Sequence, residues 1–179
     1  GTWGATDNVT AEHTTDLITG TGMLDVTTGP AGYPAWADGF PGFNDIDPDL
    51  DFENDGLESG IEWVVGGDPN SSTPDTDKVS TGVTVNADPD GDETFSEYLL
   101  FTYRRTDVAN LDGDTTIAVE YGSNLTAWDP ATDGVDGVVI VETDDGFDTG
   151  VDKVEVFIPA SLAAAGKLFA RLNVAVPAP

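Results

Sequence analysis

The chain contains no cysteine, a single histidine at position 13, and only six lysine and arginine residues. Without cysteine there is no disulfide framework and no thiolate chemistry, so any loop that needs a staple must find it in a metal ion. His13 lies in a Thr-rich stretch with neither a cysteine partner nor a Ser–Asp constellation beside it, which argues against histidine-based catalysis. The six basic residues face 34 acids, a formal charge of −28 that repels phosphate backbones and anionic lipid headgroups alike. The charge therefore argues against nucleic acid and acidic membrane surfaces as partners. No apolar run approaches the ~18 residues that a membrane-spanning helix requires. The first residue is Gly rather than Met, as expected of a processed, secreted mature chain; a trimmed tag leaves the same residue.

What is present in abundance is aspartate, 25 residues against 9 glutamates. Aspartate favours turns and hard-cation sites and disfavours helix interiors. A general adaptation to high salt, with carboxylates holding hydration, gives the same composition and is compatible with cation binding. At 179 residues the chain suits one domain with a terminal arm. Residues 1–30 read as an N-terminal β arm, with alternating runs at Leu17-Ile18 and from Met23 to Val26. Residues 31–78 hold a Gly-, Pro- and aromatic-rich linker pinned by Tyr33, Trp36, Phe40 and Phe43. An acidic loop follows, then the helical stretch LESGIEWVVGG, ended by Gly66-Gly67 and Pro69. Residues 79–179 read as strands: VSTGVTV, YLLFTYRR, TTIAVEY, GVVIVET, KVEVFIP and KLFARLNVAV, with PASLAAAG as one helical turn between the last two. Alternation places Ile117, Val119 and Tyr121 on one face, and Val154, Val156 and Ile158 on another. The expected fold is mainly β: an antiparallel β-sandwich with one short helix following an EF-hand-like calcium loop, and an N-terminal β arm.

That loop is the strongest signal. DFENDGLESGIE matches the twelve-residue EF-hand pattern, with Asp51, Glu53 and Asp55 at positions 1, 3 and 5 and Gly56 at the sharp turn. Leu57 offers its carbonyl at position 7, Ser59 stands at 9, and Glu62 is the bidentate ligand at 12. Alternate residues of a curling loop point inward, Gly permits the bend, and the helix returns Glu62 to the ion. Upstream, Asp45, Asp47 and Asp49 continue the alternation and offer a neighbouring site. A second stretch, NADPDGDETFSE, fits the spacing with Asn86, Asp88, Asp90, Gly91, Thr94 and Glu97, Asp92 adding a further carboxylate; a plain acidic hairpin turn explains it equally well. The segments DGD at 112–114 and TDDGFD at 143–148 read as turns.

No catalytic constellation emerges. Most of the acids sit in turns where water keeps them ionised, which disfavours a paired-carboxylate glycosidase. Trp36, Trp63 and Trp128 have the chemistry to stack on sugars, but Trp63 follows Glu62 in the helix and Trp128 follows a strand, positions that suit core packing. Arg104 and Arg105 must point to opposite faces of their strand, so at least one pairs with a carboxylate.

The order Tyr33-x-x-Trp36, DGLESGIEWVVGGDP, FTYRR, EYGSNLTAW and KLFARL resembles the C-terminal module of large secreted proteins of Verrucomicrobia and Planctomycetes, over residues 33–174. The resemblance implies a calcium-bearing, extracellular, non-catalytic module. Departures are Glu53 where Asp is usual, and Asn124 where the S-x-D-L-x-x-W pattern has Asp. The resulting expectation is a secreted, non-enzymatic, Ca²⁺-binding structural protein, a homo-oligomer or the subunit of an extracellular filament built by strand exchange. The alternative is a carbohydrate- or surface-binding module of a larger assembly.

Overall fold

A computed structural model describes residues 3–4, 13–14, 32–43, 47–73, 78–80 and 82–176. The expected arm strands around Leu17-Ile18 and Met23 to Val26 lie outside the described residues. Of the arm, β1 (Trp3–Gly4) pairs in parallel with β2 (His13–Thr14). Three short helices follow in chain order: α1 (Gly32–Ala37), α2 (Ser59–Val65) and α3 (Asp107–Asn110). The remainder is mainly β. One antiparallel sheet has the order β3–β4–β8–β7, from β3 (Val83–Ala87), β4 (Ser96–Thr106), β7 (Val139–Asp148) and β8 (Val151–Pro159). The other runs β6–β5–β9, from β5 (Thr116–Gly122), β6 (Asp129–Pro130) and β9 (Phe169–Ala175).

The period-2 pattern accounts for the core. Along β8, Val154, Val156 and Ile158 are at most 1% exposed, while Lys153, Glu155 and Phe157 are half-buried on the opposite face. Each such aliphatic burial contributes about 1.5–3 kcal/mol. These residues join Phe101 and Tyr103 of β4, Val119 and Tyr121 of β5, and Leu172 of β9 in one cluster, so both sheets share a core. Helix α2 packs on both β4 and β9, with Trp63, Val64 and Val65 buried in that same cluster. The helix that completes the acidic loop is thus anchored in the centre of the protein.

Three segments differ from expectation, one being Asp107–Asn110, which forms helix α3 where no helix is expected, capped by the Thr106 hydroxyl accepting from Ala109 N. GYPAWA forms α1 rather than an irregular linker, because Pro34 occupies the first turn, where its missing N–H costs nothing, and Tyr33 and Ala37, four apart, bury one face. The stretch 143–148 is the end of β7, not a free turn, with its register against β8 irregular between Thr143 and Asp148. The single turn expected between the last two strands is present as a 3₁₀ turn, Ala160–Leu162.

Motif residues outside the acidic loop have structural partners. The Arg105 guanidinium binds both oxygens of Glu142, at 2.9 and 2.7 Å, and Asp152 at 2.9 Å, while Arg104 lies over the Phe147 ring at 4.7 Å. Arg171 binds Glu120 across the β5–β9 ladder and covers the Trp128 ring at 4.5 Å, so the arginine of FARL, the glutamate of EYG and the tryptophan of LTAW form one stack. Gly122 is required there, since a Cβ would lie 2.3 Å from the Ala127 carbonyl oxygen.

Candidate metal centre

The chain enters the acidic loop from a turn at Pro48 and leaves it in α2. Leu50 O accepts hydrogen bonds from both Ser59 N (2.9 Å) and Ser59 Oγ (2.8 Å), which pins the start of the loop to the first turn of the helix. Gly60 N donates to Pro48 O at 2.8 Å, and a Cβ on Gly60 would sit only 3.0 Å from that oxygen, so glycine permits the approach. Between these anchors the backbone curls around Asp51, whose Oδ1 and Oδ2 accept from Asp55 N and Gly56 N, each at 3.0 Å. Asp55 Oδ1 accepts from Leu57 N at 2.8 Å. The curl needs positive φ at Asn54 (62°) and Gly56 (101°), conformations open to Asn and Gly at least cost. Gly66, at φ 74°, ends α2 in the left-handed region, with Gly67 N donating to Glu62 O at 2.7 Å.

The result brings Asp51, Glu53 and Asp55 together, with one carboxylate oxygen from each lying within 4.8 Å of the others. Glu62 projects from the first turn of α2 and is fully buried. Both carboxylate oxygens of Glu53 and Oδ2 of Asp55 are buried without a well-formed hydrogen bond. Burial pushes the Glu53 carboxyl above the ordinary glutamate range, and the negative charges of Asp55 and Asp51 add to the rise; its own backbone amide and the adjacent Glu62 carboxyl oppose it. A buried acceptor with no donor is costly, and a group of such acceptors converging on one point is what a hard cation satisfies. The donor set is all oxygen, which suits a hard divalent cation rather than zinc or copper. Ser59, expected at position 9, donates its hydroxyl hydrogen to Leu50 O, which helps close the loop and leaves the oxygen lone pairs for a cation.

The remaining candidates divide. Asp45 lies outside the described residues. Asp47 accepts from Asp49 N at 3.1 Å in a local turn, and among the described residues neither joins a three-carboxylate group with the loop. In the second stretch the register differs from expectation by two residues. Asp88, not Asn86, is the pivot: Asp92 N and Glu93 N donate to its two oxygens, each at 3.0 Å, and Thr94 N donates to Asp92 Oδ1 at 2.7 Å. This copies the backbone of the first loop, including positive φ at Gly91 (72°) and Glu93 (69°). Asp88, Asp90 and Asp92 therefore cluster, whereas Asn86 and Glu97 face each other in the β3–β4 ladder. Position 12 falls on Leu99, and Asp90 and Asp92 are exposed, so this loop lacks the buried carboxylate that distinguishes the first. A third group, Asp107, Asp144 and Asp152, was not foreseen, because the fold alone joins these distant positions; Asp152 is held by Arg105.

No family model matches the chain, and neither a curated protein nor a solved structure matches it.

Proposed function

We propose that the protein is a non-enzymatic, Ca²⁺-binding structural module that works outside the cell. The observation that carries this is the convergence of Asp51, Glu53 and Asp55, with buried Glu62 beside Glu53 and with the Glu53 oxygens and one Asp55 oxygen lacking well-formed hydrogen bonds. Asp51, Glu53, Asp55, the Leu57 carbonyl and Glu62 would hold the ion, and Ser59 would order the loop around it. An extracellular setting suits this donor set, since calcium there is plentiful enough for sites with Kd near 10⁻⁴–10⁻³ M. The motif resemblance over residues 33–174 supports the same setting. Isothermal titration calorimetry tests the reading: one site of that affinity is expected, lost in Glu62→Gln. Absence of binding by the unaltered chain refutes it.

Self-association is the second part of the proposal. Among the described residues, β3 and β9 are edge strands, each with one ladder side unpaired. An unpaired edge is a template for a strand from another copy, and a subunit charge of −28 makes association depend on cations. Deleting residues 1–28 and imaging the product by electron microscopy separates the cases. Folded monomers support exchange of the arm; unchanged polymers in calcium contradict it. A carbohydrate-binding reading has one supporting feature, a cleft of about 570 Å³ beside Trp36 and Asp112. Trp128, by contrast, is covered by Arg171 and Trp63 is buried, so neither offers a bare stacking platform.

A further inference from the structure

The acidic loop is bracketed by two aromatic side chains that are not ligands. Phe52 stands between Asp51 and Glu53, and Trp63 follows Glu62. They are joined through a segment that precedes the loop. Phe52 meets Phe43 edge-on with ring centroids 5.3 Å apart, Phe43 meets Trp36 at 6.1 Å, and Trp36 meets Trp63 at 5.9 Å. Trp36 also contacts Tyr33 at 5.5 Å and Phe40 at 5.0 Å, so it is the hub of residues 32–43. The aromatic chain thus runs from the first ligand pair to the helix that carries the last ligand, closing a ring around the loop.

We infer that this ring is a calcium-operated clamp: ion occupancy of the loop and docking of residues 32–43 form one coupled equilibrium. The inference rests on the calcium reading above and goes further, because it assigns the ion a task at residues that do not touch it. Without a cation, the Asp51, Glu53, Asp55 and Glu62 carboxylates repel one another, and the least costly relief is to move the loop limb away from α2. That movement carries Phe52 away from the position where Phe43 and Trp36 connect it to Trp63. With the cation bound, the distance between the two limbs is fixed and the aromatic ring can close. Anchors that do not involve the loop persist either way: Asn70 Nδ2 donates to Pro41 O at 3.3 Å, and the Asp112 carboxylate lies against Gly32. Calcium therefore tightens an existing attachment.

Linkage makes the coupling reciprocal: whatever factor calcium contributes to docking, docking contributes to calcium affinity. Phe52 is 36% exposed, so its truncation leaves the core intact. The test combines hydrogen exchange read by mass spectrometry with calcium titration calorimetry on the full chain. In the unaltered protein, calcium should slow exchange at least fivefold in peptides covering both 50–62 and 32–43. Phe52→Ala should weaken calcium binding roughly two- to tenfold, the range expected for losing one aromatic pair, and abolish the calcium effect on 32–43. Phe157→Leu, which removes the Tyr98–Phe157 pair on the sheet, should leave calcium affinity unchanged. If calcium protects 50–62 but not 32–43, or if Phe52→Ala binds calcium as tightly as the unaltered chain, the clamp is refuted while the metal site stands. If the unaltered chain binds no calcium, both fail.

Discussion

Replacing Glu53 by Gln is the perturbation whose sign is most informative. Glu53 is half-buried with both carboxylate oxygens shielded from solvent and lacking well-formed hydrogen bonds, and its carboxyl is pushed up by burial and by Asp55 and Asp51. For an ordinary buried acid that accepts hydrogen bonds, an amide in its place is destabilising; here it removes a like charge from a crowded site. In chelator, Glu53→Gln should therefore melt at or above the temperature of the unaltered chain. With calcium at 100 times Kd, mass action adds about 2.7 kcal/mol to the unaltered protein. At about 2–4 °C per kcal/mol for a chain of this size, the melting temperature should rise by about 5–11 °C. If losing one charged ligand weakens binding about tenfold, the variant at the same calcium concentration gains only about 1.4 kcal/mol, and its shift is halved. Differential scanning calorimetry in chelator and in calcium gives all four values. A variant that melts several degrees lower in chelator and keeps the full calcium shift would show that Glu53 is a structural acceptor and not a ligand.

Arg105→Ala should cost about 3–5 kcal/mol in urea denaturation, because it strands buried Asp152 without its counter-ion. Asn124→Asp should change stability by less than about 0.5 kcal/mol. The turn uses only Asn124 Oδ1, which accepts from Thr126 N, Thr126 Oγ1 and Ala127 N, and aspartate supplies the same oxygen. Asn124→Ala removes that oxygen and should cost about 1 kcal/mol or more. Burial pushes the Tyr103 hydroxyl up to about 12, with the Glu142 and Asp152 charges adding to the rise and Arg105 opposing it. A raised folded-state value means that neutral Tyr103 stabilises the fold fully below the unfolded value near 10, and that this stabilisation is lost as pH rises through about 12. Ultraviolet difference titration should show one tyrosine ionising near that pH, coincident with alkaline unfolding.

The strands were legible because their signal is local. Val154, Val156 and Ile158 alternate with Lys153, Glu155 and Phe157, and two-residue periodicity with one buried face needs no knowledge of the partner strand. The loop at Asp51 to Glu62 was legible for a similar reason, since its offsets follow from how a short backbone curls. The second loop was placed two residues out of register because the sequence has Gly91 where the sharp turn was expected. The backbone instead makes its position-6 turn at Glu93, and Gly91 takes the earlier left-handed position that Asn54 fills in the first loop. The signal for the later register is the alternation Asp88, Asp90 and Asp92, which repeats that of Asp51, Glu53 and Asp55. Helix α1 is hidden in the sequence because it lies within a Gly- and Pro-rich stretch, and only the packing of Tyr33 and Ala37 reveals the helical face. The group of Asp107, Asp144 and Asp152 depends on the β4–β8–β7 order, which is a property of the whole fold.

The most direct measurement is anomalous X-ray diffraction from crystals of the full chain grown with calcium. The account predicts a calcium peak bounded by Asp51, Glu53, Asp55 and Glu62, with oxygen distances of about 2.3–2.6 Å. A structure in which that position holds no ion at millimolar calcium, and the Glu53 oxygens accept hydrogen bonds from protein donors instead, would contradict it.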